Sequence, residues 1–360
     1  MSAKKDPKQG ILFSKVRMYY FSGTGNSRQV AEWIKEVAEK NQVEARLENI
    51  PEIGHDPLEI DSSDLIGFFS PTHGFNFPPI MLKFLWHFPK GRNKVFIMNT
   101  RAGVKLWKLH LFGLSGLAQL FAAFILKVKG YKIVGMRPVD LPSNWISLHP
   151  GLRKKVVVSM VKRCRRNTER FAQKILTGRR DFRALFDILQ DLAISPVAIG
   201  YYFVGRYVLA KSFIASSACT MCRLCIDRCP VQAIMEIDRR PYWTFRCESC
   251  MQCMNHCPER AIQTAHGLVI GSLYLLFTVG MEWLYFYSAD KLPEGSLSSF
   301  LHHGTSEFLI ASALCIPFLW LSYRLLHYLM RFKFVEWLVI YTSLTVFRFW
   351  RRYKGPAVGV

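Results

Sequence analysis

The chain has 360 residues, half of them hydrophobic, with a formal charge of +22 and a pI near 9.7. That length buries at least one sizeable core and leaves room for a second module. The charge excludes an acidic surface and points to anionic lipid, nucleic acid or an acidic protein as partner.

The basic start, MSAKKDPKQGILFSKVRMYYF, has no long apolar run ahead of a small-residue cleavage site, so no secretory signal is expected there. Residues 15 to 21, KVRMYYF, predict a strand that runs into SGTGNS and then into the helical pattern RQVAEWIKEVAEK. Strand, small-residue loop and helix make a phosphate site of the α/β kind. Further strands are predicted at 43–50, 64–70, 94–100 and 131–139, with helical stretches between several of them, which implies a doubly wound parallel sheet.

In such a sheet the ligand lies beyond the carboxyl ends of the strands. The first loop there is Ser22, Gly23, Thr24, Gly25, Asn26 and Ser27, whose amides and hydroxyls suit a phosphate at the start of a helix. It matches neither GxxxxGK[ST] nor GxGxxG followed by a distant acid, which argues against a nucleoside triphosphate or a dinucleotide. The second loop, residues 70–79, offers Pro71, Thr72, His73, Gly74, Phe75 and Asn76, and the third, residues 99–103, offers Asn99, Thr100 and Gly103. Together they suit flavin mononucleotide (FMN), and residues 15 to about 145 resemble a flavodoxin domain by these loops and by LPSNW at 141–145.

Residues 106–128 are more apolar than a usual surface helix of that fold, and Lys105, Lys108, Lys127 and Lys129 flank them. A helix dipping into a membrane surface is expected, with a helix covered by another domain as the alternative. Residues 153–183 carry twelve Lys and Arg among apolar positions and predict one or two basic amphipathic helices, able to attract anionic lipid. Nucleic-acid binding is not expected, because no reading motif accompanies the charge.

Eight of the ten cysteines fall between Cys219 and Cys257. In a reducing compartment such clustering favours metal ligation over disulfides. The run CTMCRLCIDRCP at 219–230 recurs as CESCMQCMNHCP at 247–258, each ligand displaced by 28 positions, and CPVQAI lies over CPERAI. Zinc would use CxxC pairs but would not explain the third and fourth cysteines, the prolines or the duplication. The spacing resembles the two-cluster bacterial ferredoxins, in which the last cysteine of each run ligates the other cluster. That resemblance, over residues 216–265, implies two [4Fe-4S] clusters. Cys219, Cys222, Cys225 and Cys257 would hold one, and Cys247, Cys250, Cys253 and Cys229 the other.

Residues 267–287 and 308–330 are apolar all round and long enough to cross a bilayer, the second with Pro317 as an expected kink. Residues 1–265 hold 40 Lys and Arg, 48 in all less 8 beyond, whereas the linker 288–307 carries one Lys against Asp290, Glu294 and Glu307. By the positive-inside rule both chain ends face the cytoplasm, making a multi-pass protein of the cytoplasmic membrane. Residues 332–353 read as an interfacial helix with an aromatic and basic face. Haem between the two helices is a weaker alternative, requiring His266 and His327 as axial ligands.

The expected organisation is a basic tail (1–14), a flavodoxin-like FMN domain (15–150), a basic helical linker (151–215), an α+β two-cluster ferredoxin-like domain (216–265), an α-helical transmembrane hairpin (266–330) and a basic interfacial tail (331–360). The two redox modules together resemble the flavodoxin-ferredoxin fusion proteins, found largely in anaerobes. The resemblance implies a membrane-anchored electron carrier exchanging electrons with a redox protein donor or acceptor. One alternative is a flavoenzyme that reduces a quinone or other lipid-soluble substrate at the bilayer, and a second is a non-redox assembly or sensory module. No side-chain constellation marks a catalytic residue, and His73 is as well explained by loop structure as by proton donation.

Overall fold

The computed structural model describes residues 10–53, 60–107, 109–275 and 304–350, with isolated positions at 58, 278, 282, 353, 355 and 356. The expectations for residues 1–9, for the outer half of the first apolar span and for most of the linker after it fall outside these residues. The chain forms two compact units, one of Met1–Ile199 with Arg351–Val360, the other of Gly200–Trp350.

The first unit opens with β1 (Lys15–Tyr20), α1 (Asn26–Lys40), β2 (Glu44–Asn49), β3 (Leu65–Pro71) and α2 (Pro79–His87). It continues through β4 (Lys94–Leu106), β5 (Leu109–Leu111), α3 (Leu117–Val128), β6 (Lys132–Pro142) and α4 (Lys154–Leu176), and ends with the short helices α5 (Ile188–Ala193) and α6 (Ser195–Gly200). β2, β1, β3, β4 and β6 lie side by side, every neighbouring pair parallel, while β5 returns antiparallel along the tip of β4. This is the doubly wound parallel sheet that the alternation of strands and helices implies.

The central strands are buried on both faces, so β3 carries a continuous apolar run from Leu65 to Phe69 rather than an alternating one. α1 buries Val30, Ala31, Trp33, Ile34, Val37 and Ala38, the three- and four-residue spacing of one helix face. α4 buries Met160, Cys164, Phe171, Ala172, Ile175 and Leu176 and turns its Lys and Arg outward. Residues 154–176, expected as a basic linker, therefore complete the core of the first unit, with Phe171 packed edge-on against Phe96.

Two local expectations are corrected. Residues 99–103 are not a loop but the continuation of β4, paired with Pro138 to Pro142 of β6. Arg101 drives the extension: its guanidinium is almost fully buried and reaches Asp140 and Asp187, each at 2.7 Å. Gly103 permits the approach, since a Cβ there would stand 2.6 Å from the Asp140 carbonyl oxygen. Residues 106–128 are not one helix, because the chain between Gly113 and Gly116 turns before α3 begins. α3 then buries Ala118, Gln119, Ala122, Ile125 and Leu126 while Phe124 and Val128 remain exposed.

The second unit contains α7 (Arg206–Ala210), β7 (Phe213–Ala215), α8 (Leu224–Asp227), β8 (Ile234–Ile237), β9 (Arg240–Trp243), α9 (Gln252–His256), β10 (Ile262–Thr264), α10 (His266–Leu275), α11 (Gly304–Leu329) and α12 (Lys333–Tyr341). β7 pairs antiparallel with β10 and β8 with β9, the latter closed by a two-residue turn with Asp238 and Arg239 both at positive φ. The sequence duplication is also a duplication of backbone. Positive φ recurs at Met221 and Ser249, at Arg223 and Met251, and at Gln232 and Arg260, each pair 28 residues apart.

α11 buries Cys315, Leu319, Tyr323 and Leu326 along one face. Its Tyr323 hydroxyl donates to the Phe213 carbonyl at 2.8 Å, so the end of the second apolar span is built into this unit. Leu314, Trp320, Leu321 and Leu325 on the same helix are exposed, as are Phe334, Trp337 and Tyr341 of α12, which stack on one another. Among the described residues no single helix is long and apolar enough to cross a membrane; Arg183–Ala193 with Ser195–Ala210, bent by 76°, reaches that length and composition only as a pair.

Candidate functional site

β1 delivers the chain to the phosphate loop and α1 leaves it. Gly25 precedes α1 at φ 97°, a left-handed conformation that a side chain would strain, and its amide donates to Ser22 Oγ at 3.0 Å. α1 starts without a side-chain cap, which leaves its first-turn amides to an anion. Gly23 is buried, Thr24 accepts from Asn144 Nδ2, and Ser27 Oγ shares a 2.9 Å hydrogen bond with Thr100 Oγ1. Asn26 donates to the Pro142 carbonyl at 3.0 Å and accepts from the Tyr353 hydroxyl at 2.9 Å. The six residues expected to bind phosphate thus share one cradle, fixed by the 141–145 segment and by Tyr353.

The second loop is a tight turn in which His73 and Asn76 exchange backbone hydrogen bonds, with Gly74 and Phe75 at positive φ between them. Pro71 ends β3, Thr72 donates its amide to the Thr100 carbonyl at 2.9 Å, and the His73 ring stacks on Trp145 at 5.7 Å. Asn99 is fully buried and spends its amide on Thr72 Oγ1 and Ser115 Oγ while accepting from Gln119. Asn99 and Gly103 therefore brace the sheet, whereas Ser22–Ser27, Thr72, His73 and Thr100 gather at its carboxyl end. The donor set fits the phosphate of FMN: an uncapped helix start, a left-handed glycine and several hydroxyls.

In the second unit two cavities are lined by cysteine. Cys219, Cys222, Cys225 and Cys257 line one, and Cys229, Cys247, Cys250 and Cys253 line the other. Cys253 also reaches the first and Cys225 the second. The duplicated walls exchange in the same way, with Ile262 lining the first cavity and Ile234 the second.

The thiols are surrounded by donors. The Ala233 amide donates to Cys229 Sγ and the Ala261 amide to Cys257 Sγ, both at 3.3 Å and 28 residues apart, and the Ser249 amide donates to Cys247 Sγ at 3.4 Å. Burial pushes the Cys225 thiol up to about 11 and the Cys247 thiol up to about 12, and it raises Cys250 and Cys253 as well. Such thiols become thiolates only with a cationic partner in the cavity. Trp243 Nε1 and Ser249 Oγ in the wall of the second cavity are buried and face its thiols, Trp243 at Cys253 and Ser249 at Cys247. Buried N–H and O–H donors aimed at a ring of thiols fit a sulfide-containing cluster, whose sulfurs accept hydrogen bonds. Among the described residues no three His, Cys, Asp or Glu side chains are grouped as for a single metal ion.

His327 Nε2 is bonded to the Ile237 carbonyl at 3.1 Å, and His266 Nδ1 accepts from the Leu344 amide at 3.2 Å. Each imidazole is thus held through one ring nitrogen by the backbone of its own unit. Reasoning from sequence missed Arg101, Tyr353 and Lys211. Their partners lie far along the chain, and no local pattern announces them.

Residues 218–262 match the family model described as a 4Fe-4S dicluster domain, so this segment is an iron–sulfur domain. Among curated proteins no relative matches the chain. Among solved structures the chain is similar to a flavodoxin from the domain Archaea, at 18% identity and a TM-score of 0.30, over 45% of this chain and 98% of that one. It is similar to two-electron reduced Megasphaera elsdenii flavodoxin at 15% identity and a TM-score of 0.28, over 35% of this chain and 85% of that one. It is also similar to the rubredoxin oxygen:oxidoreductase of the anaerobe Desulfovibrio gigas, at 14% identity and a TM-score of 0.25, over 46% of this chain and 37% of that one.

Proposed function

We propose that this chain is an iron–sulfur flavoprotein that moves electrons between FMN in the first unit and two [4Fe-4S] clusters in the second. The observation that carries the reading is the pair of cysteine-lined cavities, each lined by three cysteines of one run and two of the other. FMN accepts electrons singly or in pairs and each cluster accepts one, so the combination links two-electron to one-electron donors and acceptors. The chain's own part is to hold the phosphate with Ser22–Ser27, to wall the ring with the His73 and Trp145 pair, and to supply amides and thiols to the clusters.

The exposed apolar residues of α11 and α12, in a chain of net charge +22, support attachment to the anionic cytoplasmic surface of a membrane. A redox protein is the proposed donor or acceptor. A second reading, turnover of a quinone or other lipid-soluble substrate, is favoured by Trp107, Leu109 and Phe112, which are exposed around β5 at the end of β4.

Anaerobic titration with dithionite tests the proposal. Uptake of about four electrons per chain, with flavin and cluster absorbance bleaching together, supports it. Uptake of about two, in the flavin alone, refutes it. Repeated oxidation by a quinone in detergent distinguishes the second reading from a carrier that reoxidises only with a protein acceptor.

A further inference from the structure

The duplication places the Ala215 carbonyl in the first repeat where the Trp243 carbonyl stands in the second, 28 residues on. Each accepts a hydrogen bond from a cation. Arg240 donates to Ala215 O at 3.0 Å, and Lys211 donates to Trp243 O at 2.6 Å. The two cations differ in what surrounds them.

Arg240 is paired with Glu336 of α12 at 3.5 Å, and Glu336 also accepts from the Ser217 amide. Burial by itself would raise the Glu336 carboxyl, but Ser217 and Arg240 together hold it below the usual carboxylate range, so the pair is a guanidinium cancelled by a carboxylate. Lys211 is 2% exposed, and among the described residues no carboxylate pairs with it. Its ammonium lies instead over the rings of Tyr242, Phe245 and Tyr323, at 4.5, 4.6 and 4.6 Å. Aromatic faces offset part of the cost of burying a charge but contribute no counter-charge.

We infer that this asymmetry sets the order of the two cluster potentials: Lys211 makes the cluster held by Cys247, Cys250, Cys253 and Cys229 the easier one to reduce, and Glu336 keeps the other the harder one. The inference rests on the proposed clusters. A cluster gains one negative charge when it takes one electron, so a buried cation beside its wall stabilises the reduced form, and a cation already neutralised by a carboxylate does so far less. Lys211 is fixed to the backbone of Trp243, which lines the second cavity, so its charge cannot swing away. Burial lowers the Lys211 ammonium to about 8, and Cys247 opposes that shift; a cluster-bound, fully ionised Cys247 would hold Lys211 charged more firmly. Lys211 and Glu336 act through the field they impose and are positioning residues, not ligands.

The test is a potentiometric titration of anaerobically prepared full-length protein, followed by paramagnetic resonance, for the wild type, Lys211→Met, Lys211→Arg and Glu336→Gln. Wild-type protein shows two cluster potentials. Lys211→Met lowers the higher one so that its reduced-to-oxidised ratio at fixed potential falls at least tenfold, about 59 mV for one electron. Lys211→Arg restores it. Glu336→Gln raises the lower one and narrows the gap, and it remains informative should Lys211→Met fail to fold. Clusters present at unmoved potentials, or Lys211→Met moving the lower one, overturns this inference alone. Wild-type protein with no reducible cluster overturns the functional proposal beneath it.

Discussion

Replacing Arg101 by Met removes the buried cation that holds β4, β6 and the segment around Asp187 together. Its guanidinium is 2% exposed and donates to Asp140, Asp187 and Ser115 Oγ. Breaking a buried ion pair by removing one partner costs about 3–5 kcal/mol, chiefly because the other charge is left buried. Here the stranded carboxylates are 25% and 22% exposed and can recruit water, which places the loss at the lower end, about 3 kcal/mol. Urea unfolding followed by tryptophan fluorescence measures it, with Asp187→Asn as the milder comparison at about 1 kcal/mol. A loss for Arg101→Met below about 1 kcal/mol would refute the argument, because it would mean that the extension of β4 is held by backbone pairing alone.

Cys257→Ala should abolish the same cluster as Cys222→Ala, although Cys257 belongs to the other run; iron analysis should show about half the wild-type content in each, with one paramagnetic signal remaining and the same one. Gly25→Ala forces a side chain into a left-handed conformation and should cost about 1–2 kcal/mol, with FMN affinity, read by quenching of flavin fluorescence, falling roughly tenfold. Changing Phe334, Trp337 and Tyr341 to Ser should reduce co-sedimentation with anionic lipid vesicles at least about tenfold while leaving the clusters intact. In cluster-free protein, Lys211 binds its proton more weakly when folded than when unfolded. Stability should therefore rise as pH climbs from about 8 towards 10.5, by about 3 kcal/mol at most, and this rise should vanish in Lys211→Met.

The cysteine framework was legible because its chemistry is local. Cysteine spacing, the prolines and the 28-residue offset all lie within residues 219–262, and the backbone repeats its positive φ angles at the same offset. The parallel sheet was legible for a similar reason, since its strands are short apolar runs separated by helical ones. The continuation of β4 was not. NTRAG contains a glycine and an arginine and reads as a loop until Arg101 meets Asp140 and Asp187 from segments 39 and 86 positions on. Charge density hid the role of α4 as a core helix, because seven buried positions are spread among its basic residues. Hydropathy alone could not show that the end of α11 packs on β9, since Tyr323 and Leu326 look the same to a lipid as to Tyr242 and Val339. The contrast between Lys211 and Glu336-paired Arg240 was also invisible, because the acceptors are repeat-equivalent while the cations are not.

The most direct measurement is the cofactor content of full-length protein isolated without oxygen: iron and acid-labile sulfide by chemical analysis, and flavin released by heat. About eight irons, eight sulfides and one FMN per chain are expected. Zinc in place of iron and sulfide, or a colourless protein that binds no flavin when offered it, would contradict the account.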